Sequence, residues 1–254
     1  MYPLVSVIVN CFNCQEYLRF TLDSIKHQTY PNIEVIFINN ASVDSSLSIV
    51  EESDFPIKVF NLDATIPLYE ARNVALSKVY GEFVAFIDAD DVWEPSKIEK
   101  QVSAFEDDVL MVYTSRVFID SFGKEIIRKD SKKFSGYIVN KLLLSPFIPM
   151  SSVMMRSEVA LSLKFNPSFN LVGDFDMWIR VSMLGFVKHI DEDLIYDRIH
   201  PCSTGKIENG KWLIERRAFY VDFLRKFSFK YFSIFIFILR TEFRGLLTRL
   251  RFFT

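Results

Sequence analysis

Cysteine is scarce: Cys11, Cys14 and Cys202 are the only three in 254 residues. An odd, low count suits a reducing cytoplasm better than a secreted disulfide scaffold. "CFNC" has C-x-x-C spacing, but zinc would need two further close ligands, and only Cys202 and the histidines His27, His189 and His200 remain. Cys11 and Cys14 therefore read as small buried residues at a strand end. No G-x-G-x-x-G follows the first apolar run and no G-x-x-x-x-G-K-[ST] occurs, which leaves a dinucleotide fingerprint and a P-loop unsupported. No charge of one sign dominates. The formal net charge of −2 argues against nucleic acid as a partner. The opening "MYPLVSVIV" lacks a basic n-region and a small-residue cleavage site, so it reads as a first strand and not as a signal peptide. Internal repeats and low-complexity linkers are missing as well.

What the chain has in quantity is apolar surface: half its residues are hydrophobic and 26 are phenylalanine. Through the first hundred residues, apolar runs alternate with helical patterns. Strands are expected at residues 4–9, 33–39, 57–62, 83–88 and 109–115, and helices at 15–28, 42–52, 68–79 and 96–105. Ser42 or Asp44 can cap the second helix, and Pro95 suits a first helical turn. Strands buried on both faces and separated by helices imply an α/β fold with a mostly parallel, doubly wound, Rossmann-like sheet. After residue 115 the rhythm changes to a hairpin turning at Gly123, a short helix, a loop, another strand, a helix at 174–184 and extended segments beyond it.

"EFVAFIDADDVWEP" runs a core-grade strand into three carboxylates, Asp88, Asp90 and Asp91. Ligands of open α/β sheets bind beyond the carboxyl ends of the strands, where polar residues also end strands one and two. Residues two apart on extended chain share a side, so Asp88 and Asp90 can converge on Mg²⁺ or Mn²⁺ completed by waters and substrate phosphates. Asp91 points away and is equally suited to capping the helix that follows.

Several stretches in order, "VSVIVNCFN", "IEVIFINNASVDSS", "EARNVALSKVYGEFVAFIDADDVWEPSKIEKQ" and "LVGDFDMWIRVSMLG", resemble the family 2 inverting glycosyltransferases of the GT-A fold. The resemblance covers roughly residues 4–205. It implies a bacterial polysaccharide or lipopolysaccharide type of enzyme that moves a sugar from a nucleotide diphosphate donor to an acceptor hydroxyl with inversion. By position, Asn10, Cys11 and Phe12 occupy the donor-binding turn, with Phe12 flanking the base. Asn39 stands where the family more often reads the base with aspartate, and Asn10 where it has proline. Arg72 falls at the position tied to the diphosphate or the strand-four loop. Asp88 would hold donor hydroxyls, Asp90 would ligate the metal, and His200 would close over the diphosphate or add a metal contact. The general base would be Asp174, with Asp176 capping its helix. The companion acid that usually precedes the base is replaced by Gly173, which removes a like-charged neighbour able to raise the pKa of Asp174. Trp178 lines the acceptor pocket or fills the core.

The chain divides on this reading into a GT-A catalytic domain at 1–205, with a nucleotide-sugar half at 1–114 and an acceptor half at 115–205, and a helical tail at 206–254. From residue 215 onward, nine Lys/Arg face three Asp/Glu, a surplus of +6 that leaves −8 elsewhere. The longest uncharged stretch of the tail, 231–239, is far below the ~20 residues a spanning helix needs. Its aromatic and basic residues suit an anionic bilayer surface, with the enzyme peripheral on the cytoplasmic face of the membrane and acting on a glycan or lipid-linked acceptor. The same tail could instead dock on the catalytic domain or on the sister subunit of a homodimer. Two other functions fit the acidic turn: a haloacid-dehalogenase-type Mg²⁺ phosphohydrolase, and a GT-A domain that binds glycans or partners without turnover.

Overall fold

A computed structural model describes residues 2–127, 133–201, 203 and 209–227. Four strands, β1 (Val5–Cys11), β2 (Ile33–Asn39), β3 (Lys58–Asn61) and β4 (Phe83–Asp88), lie parallel, with β1 between β2 and β4 and β3 outside β2. Helices α1 (Leu18–Lys26), α2 (Ser46–Glu51) and α3 (Leu68–Leu76) make the crossovers. Side chains of the central strands alternate between two cores, as period-two geometry requires. Ile8, Ile36 and Phe86 enter the core under α3, whereas Val7, Val9, Phe37 and Ile87 enter the one under α1. Both faces are covered, which is why these strands read as unbroken apolar runs.

Beyond β4 the sheet becomes mixed. With β5 at Val92–Trp93, β6 at Val109–Ile119, β7 at Glu125–Ile127, β8 at Met154–Arg156 and β9 at Phe186–Arg198, its order is β3-β2-β1-β4-β8-β6-β9-β5, with β7 appended to β6. β8 (Met154–Arg156) runs antiparallel to both β4 and β6 (Val109–Ile119). β9 (Phe186–Arg198) is one strand of 13 residues parallel to β6, and it accommodates register shifts near Thr114 and Ser115. The expected hairpin is present: β6 turns through Gly123, at φ +85, into β7 (Glu125–Ile127). The positive φ is glycine's ordinary province. The second half adds α5 (Val139–Leu144), α6 (Ser157–Leu163), α7 (Gly173–Leu184) and α8 (Asn209–Phe227).

Two local expectations need correction. The helix expected at 96–105 is present as α4 (Lys97–Ser103), but Asp91 does not cap it: the chain first forms a short strand, β5 (Val92–Trp93), antiparallel to the end of β9. That pairing brings Asp91 beside Arg198. Asp176 does not cap α7; it forms an ion pair with Arg180 one turn on, at 2.7 Å. The i, i+4 partner offers its carboxylate more than the first-turn amides do.

The first part of the tail docks on the body. Phe219 of α8 stacks edge-on against Phe175 of α7, and the Tyr220 hydroxyl donates to the Leu143 carbonyl. No helix among the described residues is long and apolar enough to cross a membrane. The aromatic and basic run at 228–254, on which the bilayer expectation rests, lies outside the described residues.

Candidate active site

The strand order reverses between β1 and β4, and there Asn10 and Asp88 are direct register partners at the two strand tips. The turns leaving β1 and β2 are stitched into one another. Asn40 N–H donates to Cys11 O, Asn13 N–H to Ser42 Oγ, and Val43 N–H to Asn13 Oδ1, all within 3.0 Å. Asn13 and Ala41 adopt positive φ at these turns. Asp44 accepts the N–H groups of Gln15 and Ser46, serving the start of α2, while Ser42 is used by the β1 turn.

Within this frame Phe12 is half exposed and free to stack on a planar ligand. Cys11 is buried and its thiol is drawn down to about 7, first by a hydrogen bond from Cys14; the same pairing and burial push Cys14 up. Asn39 is turned into the protein. Its Oδ1 accepts the Ser42 N–H and its Nδ2 donates to Asn61 Oδ1, each at 3.0 Å, which leaves one amide hydrogen uncommitted among the described residues. The Asn10 amide is buried, with no partner for Oδ1 or Nδ2 among the described residues. An orphaned amide of this kind costs about 1–3 kcal/mol.

The acidic turn distributes its three carboxylates to three different partners. Asp88 accepts from Arg72 Nη2 at 2.6 Å. Arg72 is buried; burial opposes its charge, but Asp88 and then Tyr69 outweigh this and raise its pKa. Asp90 meets His200 Nε2 at 2.9 Å. Burial and then the charge of Asp88 raise the Asp90 pKa, with His200 opposing them. Asp91 is buried, where it accepts from Ser151 Oγ and, at 2.9 Å, from the Arg198 backbone N–H. Burial, and then Asp197, hold its pKa well above the ordinary carboxylate range.

Arg198 was not legible as a site residue. Its Nε donates to Asp90 O at 2.9 Å, its Nη1 to Asp120 O at 3.1 Å, and its guanidinium lies 4.7 Å from the centre of the Tyr17 ring. It therefore joins the acidic turn, the β6–β7 turn and α1. The signal was there in "YDRIH", an arginine two residues before the histidine, but nothing local says which backbone carbonyls it meets.

Asp174 opens α7 and reaches the same region from the other side. Tyr69 donates to its Oδ1 at 3.2 Å, and Tyr69 also lies 5.1 Å below the Arg72 guanidinium. Burial raises the Asp174 pKa and Arg72 counters it, while Asp88 adds a smaller upward push. The upward shift expected to be lost with Gly173 thus comes from burial. Trp178 is 1% exposed and packs against Phe86 and Phe165, so it is core.

For a divalent cation, Asp90 and His200 supply one carboxylate and one imidazole at a common point, a donor set that suits Mn²⁺ better than Mg²⁺. Among the described residues, no three His, Cys, Asp or Glu side chains converge as a metal cage. The residues fit an ion whose remaining ligands are phosphate oxygens and water.

A model of Glycosyl transferase family 2 matches residues 6–162, more than half the chain. The chain belongs to glycosyl transferase family 2. Among relatives, the putative teichuronic acid biosynthesis glycosyltransferase TuaG of Bacillus subtilis is 28% identical over 86% of this chain and 87% of its own. S. aureus TarS 1-349 in complex with UDP-GlcNAc superposes with a TM-score of 0.68 at 19% identity, over 87% of this chain and 66% of that one. The mannosyltransferase PcManGT from Pyrobaculum calidifontis, in complex with GDP-Man and Mn²⁺, gives 0.68 at 19% identity over 87% and 65%. These structures share the GT-A fold seen here, a parallel-dominated sheet with a helical C-terminus. Membership of family 2 displaces the phosphohydrolase reading, which needed the D-x-D at the start of the chain and not after three strands.

Proposed function

We propose that this family 2 glycosyltransferase moves a sugar, with inversion, from a nucleotide diphosphate donor to a hydroxyl of a cell-surface glycan precursor. Residues 1–114 bind the donor and 115–205 the acceptor. Phe12 stacks on the base, the Asn10, Cys11 and Asn39 turn holds the nucleoside, and Arg72 with Asp88 orients the sugar and diphosphate. Asp90 and His200 would hold Mn²⁺ or Mg²⁺, which when bound offsets charge on the departing diphosphate. Asp174 takes the proton of the attacking hydroxyl, for which a carboxylate made more basic by burial is suited. The observation that carries this reading is Arg72: one buried guanidinium meets Asp88 and covers the ring of Tyr69, whose hydroxyl bonds Asp174. It sets the strand-tip Asp88 and the α7 acid Asp174 around a single cationic centre.

The solved neighbours' complexes with UDP-GlcNAc and GDP-Man support a nucleotide-sugar donor, and the teichuronic acid biosynthesis named for TuaG supports a surface-glycan product. The +6 surplus after residue 214 supports a peripheral position on the anionic cytoplasmic membrane face. A panel of UDP-, GDP- and dTDP-sugars in Mn²⁺ tests the proposal. Nucleotide release should be lost in Asp90→Ala and fall by 10²-fold or more in Asp174→Asn, and NMR of the product should show the opposite anomer to the donor. Retained anomeric configuration, or donor binding without turnover for every acceptor, defeats it.

A further inference from the structure

Tyr69 lies one helical turn before Arg72, so both side chains leave α3 toward α7. The Tyr69 ring is buried, packed on Phe165 with ring centres 5.5 Å apart. It meets α7 twice. Its hydroxyl donates to Asp174 Oδ1, and its ring lies flush against the residue before, Gly173. A Cβ at Gly173 would stand 2.5 Å from Tyr69 Cδ2 and 2.6 Å from Cγ and Cε2. No ordinary side chain fits there while the tyrosine is in place. The small residue ahead of the acid and the large one on α3 are therefore two halves of one packing solution.

We propose that Tyr69 is a positioning residue for Asp174, locking the first turn of α7 through Gly173 and turning one carboxylate oxygen toward the incoming hydroxyl. This rests on Asp174 being the base. The geometry carries it. Oδ1 accepts both the Tyr69 hydroxyl and, at 2.7 Å, the Phe175 N–H. With Oδ1 held twice, the carboxylate cannot rotate freely and Oδ2 is left as the basic oxygen. The charged groups facing Asp174 are Arg72 from α3 and Asp88 from the end of β4, with Tyr69 the neutral donor between them. A hydrogen bond to the charged form of a carboxyl favours that form, so its removal raises the proton affinity.

Two measurements on the full chain decide it. The first is a titration of ¹³Cγ-labelled aspartates by NMR, with the Asp174 signal identified by its loss in Asp174→Asn. In Tyr69→Phe, which keeps the ring, the Asp174 midpoint should move up by about one to two units, the size of one hydrogen bond to a charged acceptor. An unchanged midpoint overturns the proposal. The second is a thermal-unfolding cycle. Gly173→Ala alone should lower Tm sharply, and Tyr69→Ala/Gly173→Ala should recover part of that loss; additive losses overturn the interlock. Alongside, Tyr69→Phe should lower turnover about tenfold with the donor KM unchanged and shift the acidic limb of the rate profile upward. If nucleotide release with the same sugar donors survives Asp174→Asn, the base assignment fails while the titration still judges the Tyr69 contact.

Discussion

Asp90 and His200 stand 110 residues apart in the chain and 2.9 Å apart in the fold. The contact exists because Arg198, two residues before the histidine, grips the Asp90 carbonyl, and because β5 pairs with the end of β9. Protons and a cation compete for the Asp90 carboxylate, and burial with the charge of Asp88 raises its proton affinity. Mn²⁺ affinity measured in the presence of UDP should therefore fall as pH falls. His200→Ala should weaken it by about 10- to 100-fold, and Asp90→Ala should remove it. A metal response identical in His200→Ala and the parent chain would take His200 out of the site.

The Asn10 amide yields a prediction of opposite signs for stability and binding. Both of its polar atoms are buried without partners among the described residues, on the face of β1 that also carries Ile8 and beside Asp88. Asn10→Leu relieves the unpaired amide and should stabilise the chain by about 1–3 kcal/mol in urea unfolding. If the amide serves the donor, calorimetry should show weaker UDP or GDP binding in the same variant. Stabilisation with unchanged nucleotide affinity would remove Asn10 from the donor turn.

The parallel strands were legible because each is buried on both faces and bounded by polar turns. β5 was not, since a two-residue strand has no period to read and exists only through its pairing with Tyr196 and Ile195. The continuation of β6 past Ser115 was hidden for a related reason: the chain carries on through register shifts that local sequence does not mark. In the candidate site, the strand-tip acids announce themselves by following an apolar run. Tyr69 does not, because a tyrosine on an amphipathic helix reads as core; its i, i+3 spacing to Arg72 was the usable hint. Asp176 suits a helix cap by position and an ion pair with Arg180 at i+4 by spacing, a competition that only the fold decides. Asn39 resembled a base reader, yet its neighbours claim most of its hydrogen-bonding capacity.

Glu215 of α8 reaches back to the loop before α7. Its carboxylate accepts the N–H groups of Asn170 and Leu171, at 3.0 and 2.8 Å, shortly before Asp174. Hydrogen bonds to a charged acceptor are worth about 1.5–3 kcal/mol, and partial exposure lowers that. Glu215→Ala should cost about 1–2 kcal/mol and reduce turnover several-fold at unchanged donor KM, with Glu215→Gln milder. A variant with parental turnover would show that α8 merely packs beside the site.

Lys97 supplies a pH dependence from outside the site. Its side chain is 0% exposed, its Nζ donates to Gln101 Oε1, and it lies 3.9 Å from the centre of the Trp93 ring. Desolvation holds its pKa well below the ordinary lysine value. The unfolded chain keeps a normal lysine near ~10.4, so between the two values it binds one proton more than the folded chain. Stability must then rise with pH, by about 1.4 kcal/mol per unit, until the unfolded lysine also loses its proton near ~10.4. The sign is that of a buried base: the penalty is greatest on the acid side and vanishes on the alkaline side. Urea unfolding of the parent chain and Lys97→Met between pH 7 and about 10 isolates this contribution, because all other groups cancel in the difference. The parent should gain on the variant as pH rises through that window. Parallel curves would mean that Lys97 stays charged in the folded core, with Gln101 and the Trp93 face sufficient to hold an ammonium.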